Sequence, residues 1–312
     1  MATDARDIGR KHDPNAAGTG VLHDPPLTRH SSAAEVVLSY LSDQVAAIAR
    51  CDPLVRRDQP DAVHQMRVAT RRARSALQAF GSILDKEATR PLGEELKWLA
   101  AALGHARDTE VMLDRLNASL AGIPSALVAG PVESRIRAHF TAELAQAGKV
   151  AMAALDGPRY RRLRDDLERL LVRPPLTPLA ERGAGEVLAK PVRQAGRRLL
   201  RALAAVPEAE DRDAALHEAR KAAKGARYAA EAATPALGSA ASRQAAAAKD
   251  LQQVLGDHHD SVVARTVLLD LAGKAREAGE DTFTYGLMYQ RQADEAAGIE
   301  QALPPFTVET LA

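Results

Sequence analysis

Between Val63 and Arg74 the chain reads VHQMRVATRRAR, and between Leu216 and Arg227 it reads LHEARKAAKGAR. Each stretch sets a histidine first and then cations three, seven and ten residues on: Arg67, Arg71 and Arg74 after His64, and Arg220, Lys224 and Arg227 after His217. On a helix, residues at that spacing share an arc of about 80° and extend along roughly 15 Å of axis. Arginine offers a planar fork that matches phosphate oxygens, lysine a compact point charge and histidine a ring N–H. The chemistry open to such a stripe is to hold an anion that carries several phosphates.

Arg72 and Lys221 add a further cation beside each stripe. Carboxylates that could neutralise the cations from within their own helix are sparse, since Glu218 is the only acidic residue between His217 and Arg227. One reading pairs the cations with acids on neighbouring helices. The second copy of the pattern favours a shared anionic ligand instead. Val63, Met66, Thr70, Ala73, Leu77 and Phe80 follow the spacing of a buried seam, as do Leu216, Ala219, Ala223, Ala226 and Ala230, so both stripes flank a core.

A second pair of stretches, LKWLAAALGHARD from Leu96 and AKDLQQVLGDHHD from Ala248, also matches in order. Lys97, Lys249 and Arg107 are candidates to join the binding surface. Gly104 and Gly256 are expected to end one helix, which would leave Asp108 and Asp260 as capping acids in the first turn of the next.

These residues need long helices to carry them. The composition supplies them: aromatics are 3% of 312 residues, and the Ala-, Leu-, Arg- and Glu-rich stretches lack the β-branched alternation of strands. The expected fold is all-α, with helices near 33–50, 60–82, 87–104, 106–121, 132–155 and 158–172. A second set follows near 186–205, 212–233, 239–256, 258–278 and 282–301. An offset of 153 residues lays His64, Arg67, Arg71 and Arg74 on His217, Arg220, Lys224 and Arg227, and an offset of 152 lays Lys97, Gly104 and Asp108 on Lys249, Gly256 and Asp260. An internal duplication is expected, as two antiparallel four-helix bundles with pseudo-twofold symmetry around a basic channel. Residues 1–31 read as a disordered tail and 32–306 as one helical domain, with halves at about 32–173 and 185–306 separated by the Pro174–Pro178 segment.

A single cysteine, Cys51, excludes an internal disulfide framework and a cysteine-based zinc site. No run of 18 apolar residues is present to span a bilayer, so a cytoplasmic location without membrane contact is expected. With a net charge of +1, any anion must be held by cations concentrated locally.

VHQMRVATRRARSAL, LKWLAAALGHARDTEVMLDRL, LHEARKAAKGARYA and LQQVLGDHHDSVVA together resemble the CHAD domain, the conserved histidine α-helical domain, from about Ala33 to Ala302. The resemblance implies two four-helix bundles around a basic channel that binds inorganic polyphosphate without catalysis. It also implies a cytoplasmic protein that collects on polyphosphate granules. Carried over by position, His64, Arg67, Arg71 and Arg74 line one side of that channel and His217, Arg220, Lys224 and Arg227 the other. Ala223 and Ala226 make the second seam small, and His258 and His259 stand where the family carries other polar residues.

Two other chemistries compete. His64, His258, His259 and Asp260 could ligate a divalent metal in a phosphohydrolase, but adjacent helical residues diverge by 100° and would not converge on one ion. Nucleic acid offers the same phosphates, but so few aromatics leave little to stack on bases, and the overall charge is near neutral. No cofactor is expected.

Overall fold

The computed structural model describes residues 26–303. Ten α-helices run through them: α1 (Ala33–Arg56), α2 (Ala62–Ala79), α3 (Lys86–Ala121), α4 (Val132–Asp156), α5 (Pro158–Val172), α6 (Ala184–Val187), α7 (Ala189–Ala204), α8 (Arg212–Leu237), α9 (Ser239–Glu277) and α10 (Phe283–Ala302). No strand forms among the described residues. Two isolated bridges, Ser32 to Gly183 and Leu84 to Leu176, are the nearest approach to one.

Local chemistry sets the helix starts. Ser32 and Glu35 close a reciprocal capping box on α1: the Ser32 hydroxyl accepts from the Glu35 N–H at 3.2 Å, and the Glu35 carboxylate accepts from the Ser32 N–H at 2.7 Å. Asp85 accepts from the N–H groups of Glu87 and Ala88 to start α3, and Asp211 from that of Ala214 to start α8. Gly238 turns α8 into α9 in one residue, at φ +62° and ψ −140°, a conformation that side chains with a Cβ avoid.

The expected breaks at Gly104 and Gly256 do not occur. α3 runs 36 residues and α9 runs 39, each straight through its glycine, so Asp108 and Asp260 are mid-helix residues and not caps. A glycine inside a helix costs about 1 kcal/mol relative to alanine. Both glycines are buried, Gly104 under Arg67 and Gly256 under Arg220.

Three apolar cores form, and they divide differently from one four-helix bundle per half. The first gathers α1, α2, the start of α3, and α5 around Leu41, Phe80, Leu96 and Leu163, and draws in Ala230 and Ala233 from the far end of α8. The second joins α7, α8 and the start of α9 around Leu199, Leu216 and Leu255. The third takes the last turns of α3 with α4 and the last turns of α9 with α10, packing Leu116, Ile136 and Phe140 against Leu268, Tyr285 and Met288. Both runs of the chain contribute to that third core.

Residues 1–25 of the expected tail, and residues 304–306 of the expected domain, lie outside the described residues. Residues 29–31 are built into the fold, since the Ser31 carbonyl accepts from the Ala184 N–H at 2.8 Å and the Arg29 carbonyl from the Gly185 N–H at 3.0 Å. The proline-rich separator is equally engaged. Asp85 donates its N–H to the Pro175 carbonyl at 2.7 Å, and Thr177 donates to the Ile83 and Ser82 carbonyls. No helix among the described residues is long and apolar enough to cross a membrane.

Candidate functional site

α2 packs on α8, and the two basic stripes meet at that contact. The buried seam of each helix fixes its rotation: Met66, Ala69, Ala73 and Leu77 on α2, and Leu216, Ala219, Ala223 and Ala226 on α8, all face cores. The stripes are left half-buried beside them.

Four cations from the two helices share one electrostatic neighbourhood. The Lys224 ammonium is pushed down to about 6, by burial first and then by the guanidiniums of Arg71, Arg220 and Arg67. Arg67 feels Arg71 and Arg220 in turn, and Arg220 feels Arg71. Guanidiniums do not give up their protons in proteins, so lysine is the member that yields. Arg71, Arg74 and Lys224 have no ion-pair partner among the described residues.

Arg67 and Arg220 are each held by a matching device. Nη2 of Arg67 donates to both oxygens of Asp108, at 3.0 and 3.3 Å, while Nη2 of Arg220 lies 4.0 Å from Asp260 Oδ1. Beneath each guanidinium is bare helix. A Cβ on Gly104 would sit 3.4 Å from Arg67 Nε, and one on Gly256 would sit 3.7 Å from Arg220 Nε. Glycine and aspartate are one turn apart, so α3 and α9 each present a gap and a carboxylate on one face. In the sequence these four residues read as boundaries and caps. The signal that could have identified them was the repeated Gly-x-x-x-Asp spacing at the same offset as the lysines.

The histidines are neutral groups here. Burial and then Arg107 and Arg67 push His64 down, and its Nδ1 is buried without a partner among the described residues. His217 is pushed down by burial and by Lys221, Arg220 and Lys224. Its Nδ1 lies 3.2 Å from Nδ1 of His259, which burial and Arg220 push down to about 4. A neutral ring offers one donor and one acceptor, and an N–H···N bond between the two requires both roles.

Other expected residues stand elsewhere. Arg227 turns away from the stripe to Glu231, one turn on, with Nε 2.6 Å from the carboxylate, and Arg72 reaches the same carboxylate at 3.3 Å. Both guanidiniums also lie over the Tyr228 ring, at 5.6 and 5.8 Å from its centre. This is a half-buried ion cluster between helices, formed because Glu231 lies just beyond the stretch that looked free of acid. Lys221 is exposed and paired with Glu218 at 2.6 Å, and Arg107 with Glu110 at 3.0 Å. Lys97 and Lys249 are exposed two turns before Gly104 and Gly256, on the same faces of α3 and α9, and Lys97 lies 3.6 Å from Glu94.

His258, His259 and Asp260 point to three different partners. His258 is buried against Glu300 and Asp213 at 3.2 and 3.5 Å, His259 faces His217, and Asp260 faces Arg220. Ligand atoms of Asp213, His258 and Glu300 come within 4.8 Å of one another, close enough to surround a cation. Arg265 and Arg212 already lie on the two carboxylates, at 3.0 and 3.4 Å, and complete an ion network without one.

The family model of the CHAD domain matches residues 39–269. Two curated proteins of Mycobacterium tuberculosis, Uncharacterized protein MT2285 and Uncharacterized protein Rv2226, are each 38% identical over 272 residues, covering 86% of this chain and 52% of their own. The chain therefore spans about half the length of these relatives. PptA from Streptomyces chartreusis has a similar fold, with a TM-score of 0.74 at 24% identity over 87% of this chain and 98% of its own. The CHAD domain from the plant Ricinus communis gives 0.66 at 27% identity, over 90% of this chain and 95% of its own.

Proposed function

The chain belongs to the CHAD domain family, and from that premise we propose that it binds inorganic polyphosphate, without catalysis, between α2 and α8. The observation that carries this reading is the crowding of Arg67, Arg71, Arg220 and Lys224, with a lysine that burial and then its cationic neighbours push down to about 6. A polyanion supplies what the site lacks. Each charge-assisted bond contributes about 1.5–3 kcal/mol, so a few of them hold a chain firmly. Arg74, Lys97 and Lys249 extend the same surface, and His64 and His217 add neutral ring donors. Arg107 and Lys221 reinforce the positive potential at the histidines.

The matching order of helices supports a duplication. α2, α3 and α4 follow α1 as α8, α9 and α10 follow α7, and the Arg–Gly–Asp device recurs in both. A pseudo-twofold axis between α2 and α8 is the arrangement we infer from this. A cytoplasmic protein with this site would collect on polyphosphate granules.

The test is calorimetric titration with short-chain polyphosphate at two salt concentrations, with single-stranded DNA of matched charge as control. Tight, strongly salt-dependent binding of polyphosphate and weak binding of DNA are expected. Arg71→Glu with Lys224→Glu should abolish short-chain binding while circular dichroism shows the helices intact. Retained binding in that variant would place the site elsewhere.

A further inference from the structure

α7 carries Lys190, Arg193, Arg197, Arg198 and Arg201, all exposed. From Val187 to Pro207 the chain has no aspartate or glutamate. Lys190, Arg193, Arg197 and Arg201 share an arc of about 80° along roughly 16 Å of axis, and Arg198 widens it. The opposite face is used up by packing, with Val192 in the first core and Ala195 and Leu199 in the second.

None of the five pairs with a described carboxylate. Some exposed arginines on other helices do, as Arg169 of α5 with Asp166 and Arg137 of α4 with Glu133, and those that do not, such as Arg50 of α1 and Arg243 of α9, are not gathered five to a helix. Nor does the pattern descend from the repeat. α1, which precedes α2 as α7 precedes α8, has Arg50 and Arg56 as its only cations, against Glu35, Asp43 and Asp52. In a chain with a net charge of +1, five unopposed cations on 16 residues are a local device.

The chemistry of the occupant follows. A helix that lies in a membrane surface needs a free apolar face, and that of α7 is buried. Contact is then electrostatic alone, which suits an extended polyanion. α7 packs on α8, the helix that carries Arg220 and Lys224, so an anion held there has a second basic helix beside the first.

We propose that α7 is a second, external contact for long polyphosphate, holding the part of the chain that extends beyond the α2–α8 site. This rests on the functional reading above. Joining two contacts through one ligand makes the second binding step intramolecular, and long chains gain affinity that short ones do not.

The full chain is titrated with short polyphosphate, long polyphosphate and single-stranded DNA of matched charge, at two salt concentrations, as wild type and as Arg193→Gln with Arg197→Gln and Arg201→Gln. Glutamine keeps helix propensity at these exposed positions. The variant should bind long polyphosphate about tenfold more weakly, a modest contribution from each of three exposed charges. Its salt slope should fall by about 2, at roughly 0.7 per charge by analogy with single strands. Short-chain affinity should not change, and lysine at the same three positions should restore long-chain binding. Unchanged long-chain affinity in the glutamine variant would overturn the proposal, as would a loss confined to DNA, which would make α7 a nucleic-acid contact. If the wild type bound neither polyphosphate, the functional reading itself would fall and this inference with it.

Discussion

On the proposed function, Lys224 is the residue whose state would change most on binding. In the free protein its ammonium titrates at about 6, held down by burial and by Arg71, Arg220 and Arg67. A polyphosphate bound there would move it back towards the ordinary lysine range near 10. Between those limits binding takes up a proton, so affinity falls as pH rises from about 6 towards 10 and levels off below 6, where the free protein is already charged. The linkage in the free protein has the same origin. The unfolded chain holds the Lys224 proton across that window and the folded chain does not, so folding stability from this group rises with pH there. Lys224→Arg should bind more tightly than wild type at pH 8 and lose most of the pH dependence, as titrations at pH 6, 7 and 8 would show. An unaltered pH profile would mean that another group carries the linkage. The stripe that holds Lys224 was legible from spacing alone, because rotation on a helix is fixed by residue number. Its protonation was not, since burial decides it first, and Arg71 and Arg67, two of the three guanidiniums that add to it, lie on another helix. The same distance hid the partner of Arg72, which reaches Glu231 on α8, whereas Arg227 meets that glutamate one turn along its own helix.

α3 and α9 show how one local signal serves two structures. A glycine after an apolar run and an aspartate four residues later read as a helix end and a cap, and here they are a gap and a carboxylate in the middle of unbroken helices. The guanidinium over each glycine comes from another helix, α2 over α3 and α8 over α9, which no window along the helix contains. Replacing the glycines separates fold from function. Gly104→Ala and Gly256→Ala should each raise stability by about 1 kcal/mol in denaturant unfolding, through better helix propensity. Each should also weaken polyphosphate binding modestly, because the new methyl would touch Arg67 Nε at 3.4 Å or Arg220 Nε at 3.7 Å and take away the guanidinium's room to shift towards a ligand. Stability gained with affinity intact would show that the guanidiniums do not need the bare backbone. The order and type of the helices, by contrast, were legible throughout, since they rest on periodicity and on caps such as Ser32 and Asp211 that act within one turn.

At the scale of the molecule, the two halves are less separable than their repeated sequence suggests. Leu116, Ile136 and Phe140 from one run meet Leu268, Tyr285 and Met288 from the other in the third core, and Ala230 and Ala233 of α8 enter the first. Pairing across such distances leaves no periodic trace, which is why one core per half was the natural expectation. Residues 1–187 and 188–312, expressed apart, should each show reduced helicity and no cooperative melt. Mixed together they should regain both; a sharp independent transition in either fragment would contradict the shared core. The same cores press α2 against α8 and so keep like charges together that would otherwise drift apart. The free protein is thus a loaded spring of its own electrostatics, and on the proposed function a polyanion would unload it. Occupancy becomes heat resistance: the melting temperature should climb with each increment of bound polyphosphate, and the molecule's durability then records how much of that polymer surrounds it.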